Sequence, residues 1–147
     1  MAVHILPATY DLTATNDDQI DAERGQAIVA GDSYVLDVTV QDENGDPFDA
    51  GTQVAPYWEI EASLRDDWVF DGGTVQASFV CAWTNAPIGQ ARLTLTPTLT
   101  IALMVASGKW DLQIRNKSSG GDPGYDAGFV QTVLRGSWAL MKDATRA

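Results

Sequence analysis

Glu59 and Glu61 are two residues of this chain that could act on a substrate together. Two carboxylates two positions apart on an extended strand share a face at roughly 7 Å, a spacing compatible with an acid and a base working across a glycosidic bond. Asp42, Asn44 and Asp46 form a second candidate, because oxygen side chains at i, i+2 and i+4 open the loop of a calcium hand. Neither constellation is completed. The two glutamates fall on the polar face of a half-exposed strand, where acids are ordinarily solvated, and no second cluster suggests a cleft around them. After Asp46 the bidentate Glu of a calcium loop is missing, and Asp42-Glu43-Asn44-Gly45-Asp46-Pro47 reads as a hairpin turn in which Asn-Gly accepts a positive φ. His4 is the only histidine, which excludes a histidine triad or a multi-histidine metal site within one chain. Cys81 is the only cysteine and lies in an alternating run with Val75, Ala77, Phe79 and Trp83, the setting of a small buried hydrophobe. The residues thus predict no catalytic site, no metal, no cofactor and no small-molecule substrate.

Charge and length bound the remaining classes. Nine Lys and Arg against 20 Asp and Glu give a net charge of −11, which repels nucleic acid phosphates and anionic membrane surfaces. No nucleic-acid or membrane partner is expected. The longest apolar run, Ile101 to Ala106, is far short of the ~20 residues that cross a bilayer. Met1 to Pro7 has neither the basic start nor the apolar stretch of a signal peptide, so the chain is expected to be made and folded in a cytoplasm. At 147 residues it suits one domain able to fold without staples.

Period-two alternation organises most of that domain. Tyr34, Leu36, Val38 and Val40 share one face, and a second strand runs through Val54, Pro56, Trp58, Ile60, Ala62 and Leu64, with an edge near Pro56, which cannot donate to a ladder. Val75, Ala77, Phe79, Cys81 and Trp83 follow, then the turn 85–89, then Ala91, Leu93 and Leu95. Trp110, Leu112 and Ile114 form the next strand, and Phe129 to Leu140 the last. Turns every eight to twelve residues indicate an all-β sandwich. Its core is predicted to include Leu36, Val38, Trp58, Ile60, Phe79, Cys81, Leu93, Leu95, Trp110 and Leu112, because a one-residue slip would move each whole set to solvent.

Two segments depart from alternation. Thr96-Pro97 opens a short helix near 97–106, with Leu99, Leu103 and Ala106 on one face and Ser107-Gly108 as its end. Residues 117–128, rich in Gly and polar side chains, are expected to form an exposed, mobile loop. Residues 1–25 stand apart from the domain proper, 26–147. They hold two strand-like pieces, 3–6 and 10–13, and a polar stretch, so they form either an arm that docks on a neighbouring chain or an added sheet edge. Val3, Ile5, Tyr10 and Leu12 in this arm, with the aromatics Trp68 and Trp138, are the candidate interface residues.

In order, Ile28-Val29-Ala30-Gly31-Asp32-Ser33, Asp42-Glu43-Asn44-Gly45-Asp46-Pro47-Phe48-Asp49-Ala50-Gly51, Gly89 to Thr96, Gly108-Lys109-Trp110-Asp111-Leu112, Leu134-Arg135-Gly136 and Asp143-Ala144-Thr145-Arg146 form a series. It resembles the small immunoglobulin-like proteins of tailed-phage virions, in particular the amino-terminal domain of upper baseplate proteins, over residues 26–147. The chain departs at Asp49-Ala50-Gly51, where that family has Leu-Thr, and in the added residues 1–25. The resemblance implies an immunoglobulin-like antiparallel β-sandwich. It also implies a non-enzymatic part of a virion tail or baseplate, or a fibre adaptor, whose partners are other virion proteins and copies of itself. A capsid-decorating or neck protein is its near neighbour, and a carbohydrate-binding module is the alternative of another class.

Overall fold

The computed structural model describes residues 8–12, 27–42, 44–67 and 73–141. Alternating apolar residues there form β1 (Ala8–Thr9), β2 (Ile28–Val29), β3 (Tyr34–Thr39), β4 (Trp58–Arg65), β5 (Val75–Ser78), β6 (Val80–Asn85) and β7 (Gln90–Leu95). A single helical turn, α1 (Pro97–Ile101), precedes β8 (Ser107–Asn116) and β9 (Val130–Met141). The larger sheet runs β1-β9-β8-β4-β5, with β2 also on β9, and the smaller runs β3-β7-β6. Strands β3, β7 and β6 thus occupy the B, E and D places of an immunoglobulin sandwich, and β4, β8 and β9 the C, F and G places. The fold is an immunoglobulin-like β-sandwich with one short helix. No helix among the described residues is long and apolar enough to cross a membrane.

The inward phases meet in one core. Trp58, Phe79, Leu93, Leu95, Trp110 and Leu112 are buried, and Leu36, Val38, Ile60 and Cys81 are half-buried against them, as the alternation requires. Trp83 joins them, and its Nε1–H donates to Trp58 O across the sheets (2.8 Å).

Three local expectations are corrected. The second strand begins at Trp58, because Gly51 and Pro56 bridge to each other and hold Thr52 to Ala55 as a loop, leaving Val54 97% exposed. Pro56 therefore marks a loop, and β4 itself lies between β8 and β5. The run 75–83 is two strands in two sheets. Ala77 pairs with Leu64 in the larger sheet, Phe79 N–H still donates to Ala62 O (2.9 Å), and Val80 already pairs with Thr94 in the smaller. An unbroken side-chain alternation hides this switch, because Phe79 keeps its ring in the shared core as the backbone changes partners.

The helix ends at Ile101, five residues short of Ala106, and Thr100 is its buried residue. Thr96 caps it as expected, accepting from Leu99 N (3.3 Å). The Thr100 hydroxyl accepts from Gly31 N (3.0 Å) and donates to Asp32 O (2.8 Å), while Ala106 O is taken by Leu140 N (2.7 Å). The sheet edge captures the segment before a second turn forms, and Ser107-Gly108 begin β8 instead of closing a helix. The connection 117–128 is a largely exposed loop, as expected, and is built around Asn116, which is buried at the end of β8. Its Nδ2 donates to the carbonyls of Asp122, Tyr125 and Asp126 (3.0, 3.2 and 3.1 Å), and its Oδ1 accepts from Asp122 N (2.7 Å).

Candidate functional site

Two Gly-Xaa-Trp triplets, Gly108-Lys109-Trp110 on β8 and Gly136-Ser137-Trp138 on β9, face each other in antiparallel register. Gly108 pairs with Trp138, and Trp110 pairs with Gly136. Each indole lies toward the strand beyond its glycine. Trp138 Nε1–H donates to Arg65 O on β4 (2.8 Å), and Trp110 Nε1–H donates to Tyr10 O beyond β9 (2.7 Å). A Cβ on Gly108 would overlap Arg65 O, and one on Gly136 would overlap Tyr10 O. Glycine is required because a neighbouring backbone occupies the space of its side chain.

The outer bond carries the amino-terminal segment. Ala8 and Thr9 pair in parallel with Leu134 and Arg135, Leu12 bridges to Trp138, and Ile28 and Val29 pair with Leu140 and Met141. Tyr10 N–H donates to Arg135 O (3.0 Å), Leu12 N–H to Ser137 O (2.7 Å), and Ala139 N–H to Leu12 O (2.9 Å). Ser137 N–H, which the ladder would have sent to Tyr10 O, is taken by Asp11 Oδ1 (2.9 Å), freeing that carbonyl for Trp110. Leu12 and Ile28 are both fully buried. The described part of the arm is therefore an added sheet edge on its own chain, one of the two alternatives its sequence left open.

The candidate interface residues consequently separate. Leu12 and Trp138 are core, with their contact surface consumed inside the chain, so they are corrected from contact residues to structural ones. Tyr10 is half-buried and packs against the same core. Val3, Ile5 and Trp68 lie outside the described residues, as does His4. Trp58, Trp83, Trp110 and Trp138 are all buried, so none of these rings is available to stack on a sugar.

At one end of the sandwich the connections 40–57, 86–89 and 117–129 are wired together. Trp58 sits edge-on to Phe48 (5.5 Å, 71°), Tyr125 (5.2 Å, 69°) and Phe129 (6.3 Å, 85°). Gln53 donates through Nε2 to Trp83 O (2.6 Å) and accepts at Oε1 from Ala86 N (2.8 Å), which fixes the loop that displays Val54. Asp42 Oδ1 accepts from Asn44 N (2.9 Å) and Asp46 N (3.0 Å), and Gly45 has φ +82°, so the supposed calcium ligands are a turn whose first carboxylate is turned onto its own backbone.

Glu59 and Glu61 are exposed on the outer face of β4 and stand opposite Arg115 and Gln113. Nearby, burial raises the Asp111 carboxyl above its usual range, against the lowering pull of Arg65 and Ser63. On the smaller sheet an open groove of about 270 Å³ is lined by Asp37, Thr39, Thr84, Gln90 and Arg92. Arg92 Nε–H donates to Asp37 Oδ1 (2.8 Å), holding the Asp37 carboxyl below its usual range. The groove is polar and its charged pair is satisfied on itself. Among the described residues no three His, Cys, Asp or Glu converge as metal ligands. Burial, with Glu61 nearby, pushes the Cys81 thiol up to about 11, away from reactivity.

The Gly-Xaa-Trp pairs and Asn116 escaped the pattern reading. The repeated triplet is visible in the sequence, but its meaning depends on strand register. A scan against protein-family models and a search of curated proteins find no match to this chain.

Proposed function

We propose that this chain is a non-enzymatic structural component of a tailed-phage virion, a tail, baseplate or fibre-adaptor protein that joins fibres or neighbouring subunits. The observation that carries the reading is where the resembling motifs fall. The Asp42–Gly45 segment makes a hairpin turn, and Gly108-Lys109-Trp110 and Leu134-Arg135-Gly136 make the interlocked centre of the larger sheet. These motifs shape turns and strand pairing; they do not line a cleft. A framework of this kind acts through the surfaces it holds in place, and the cross-wired loop end with its displayed Val54 is such a surface.

The test is mass spectrometry of purified particles from the phage that encodes the chain, with tails and heads separated. The chain is expected at stoichiometric, repeated copy number in the tail fraction. Its absence from intact particles, or glycan hydrolysis by the purified protein that is lost on Glu59→Gln, would overturn the reading.

A further inference from the structure

We infer that the slot on β9 occupied by residues 8–12 is a strand-exchange site, able to take the same segment from a second copy of this chain. The slot requires an occupant. Without residues 8–12, Trp110 Nε1–H loses its acceptor, Ser137 N–H loses Asp11, and Leu12 leaves the buried place it fills beside Trp138. A buried donor stranded in this way costs about 1–3 kcal/mol. The segment answers this need with an in-register parallel ladder and a clearance that only Gly136 provides. Its backbone–backbone bonds all run to the outer edge of β9, and strands β3 to β9 pair among themselves without it.

The covalent connection makes exchange accessible. Leu12 sits opposite Trp138, and Ile28 sits opposite Leu140, the next position of the same phase, yet fourteen residues separate Leu12 from Ala27. Continuous pairing would need a single intervening residue. Fourteen residues can span at most roughly 45–50 Å, beyond the width of the sheet edge that they bridge. Strand 8–12 can therefore reach a neighbour's β9 while β2 stays on its own. Contacts made in cis and in trans are the same contacts, so the choice rests on concentration. A fourteen-residue tether supplies an effective concentration on the order of millimolar. Dilute protein keeps its own strand; an array of closely spaced copies favours exchange. Each copy is both donor and acceptor, so reciprocal exchange between two copies closes a dimer and one-way exchange continues into rings or filaments. This inference stands on the edge geometry alone, and its failure would leave the virion reading untouched.

The experiment uses the full chain carrying Thr9→Cys and Arg135→Cys on a Cys81→Ala background. Thr9 and Arg135 are register partners, and adjacent strands lie about 4.8 Å apart, within disulfide reach. Oxidation at micromolar concentration should yield an intrachain bridge in a monomer. Oxidation after equilibration at rising concentration, through and above the millimolar range, should yield covalent dimers and a ladder on a non-reducing gel. The interchain fraction should rise about tenfold per tenfold concentration until it matches the intrachain one. Adding Gly136→Ala should abolish both bridges. Purely intrachain bridges at every concentration, or oligomers in which every bridge is intrachain, would overturn the proposal.

Discussion

On the larger sheet Trp58, Leu64, Trp110, Leu112, Ile114 and Trp138 are fully buried, whereas Tyr34, Leu36 and Val38 hold the same inward phase on β3 and remain half-exposed. Alternation is equally clear in both sheets. The difference lies in what flanks them. The larger sheet is extended by β1 and β2 along one side and closed at its end by the loop around Asn116, so all three of its indoles find apolar cover and those of Trp110 and Trp138 also find acceptors. Among the described residues the smaller sheet has three strands, with β3 and β6 at its edges, and Val35 and Val80 stand exposed on its outer face. Burial depth thus follows a strand's neighbours more than its own pattern, and most of the stability should reside in the larger sheet.

Emptying that sheet should have the largest effect. Trp58→Ala or Trp110→Ala is expected to cost roughly 3–5 kcal/mol, a large part of the ~5–15 kcal/mol that holds a typical domain. Trp58→Ala also removes three edge-on ring contacts. A urea melt whose midpoint barely moved would place the stability elsewhere.

Asn116→Ala should follow, at about 2–3 kcal/mol, because it removes the amide that ties three carbonyls together and leaves Tyr125 O and the Asp122 N–H without their partner, while Asp122 O and Asp126 O keep backbone donors. Proteolysis should then cut first within 117–128. Resistance of that loop in the variant would show that the aromatic cluster alone orders it. Gly136→Ala is expected to cost about 2 kcal/mol by overpacking against Tyr10 O. Hydrogen exchange should then rise at the amides of Tyr10 and Leu12 while the centre of β8 stays protected. Uniform loss of protection would mean that the edge strand is not separable from the sandwich.

Cys81 on β6 probes the smaller sheet through pH. Its thiol is raised from 9.0 to about 11, chiefly by burial, so the folded state holds the proton that the unfolded state releases. This contribution to stability is intact below about pH 9 and erodes as pH climbs from 9 toward 11. At pH 8 alkylation of the folded protein should be roughly one hundred-fold slower than of the unfolded chain, from the thiolate fraction alone. Equal rates would mean that the thiol is solvated. The smallest effect is expected at Asp37 and Arg92, an ion pair with side chains 63% and 54% exposed. Asp37→Asn should leave the melting midpoint unchanged within error, with or without added salt. A clear loss would give the outer face of the smaller sheet a structural weight that its exposure does not suggest.

The inward phases of β3, β4, β7 and β8 were legible in the sequence, as were the cap at Thr96 and the turn at Asn44-Gly45, since each rests on spacing or local backbone chemistry within a few residues, whereas β9 was legible only as a strand without a phase. What tertiary structure alone decided is pairing. The split of 75–83 between two sheets leaves side-chain alternation untouched, so no period reveals it. Asn116 looks like one more polar residue at a strand end until the folded loop brings three carbonyls to its amide. Gly108 and Gly136 read as breaks in β-propensity until register sets a tryptophan opposite each and a third strand's carbonyl against it. Leu12, beside the exposed Asp11, becomes core because β9 offers an edge 126 residues away. Spacing along a chain encodes which face a residue takes; which strand lies against that face depends on contacts between distant segments, and those exist only in the fold.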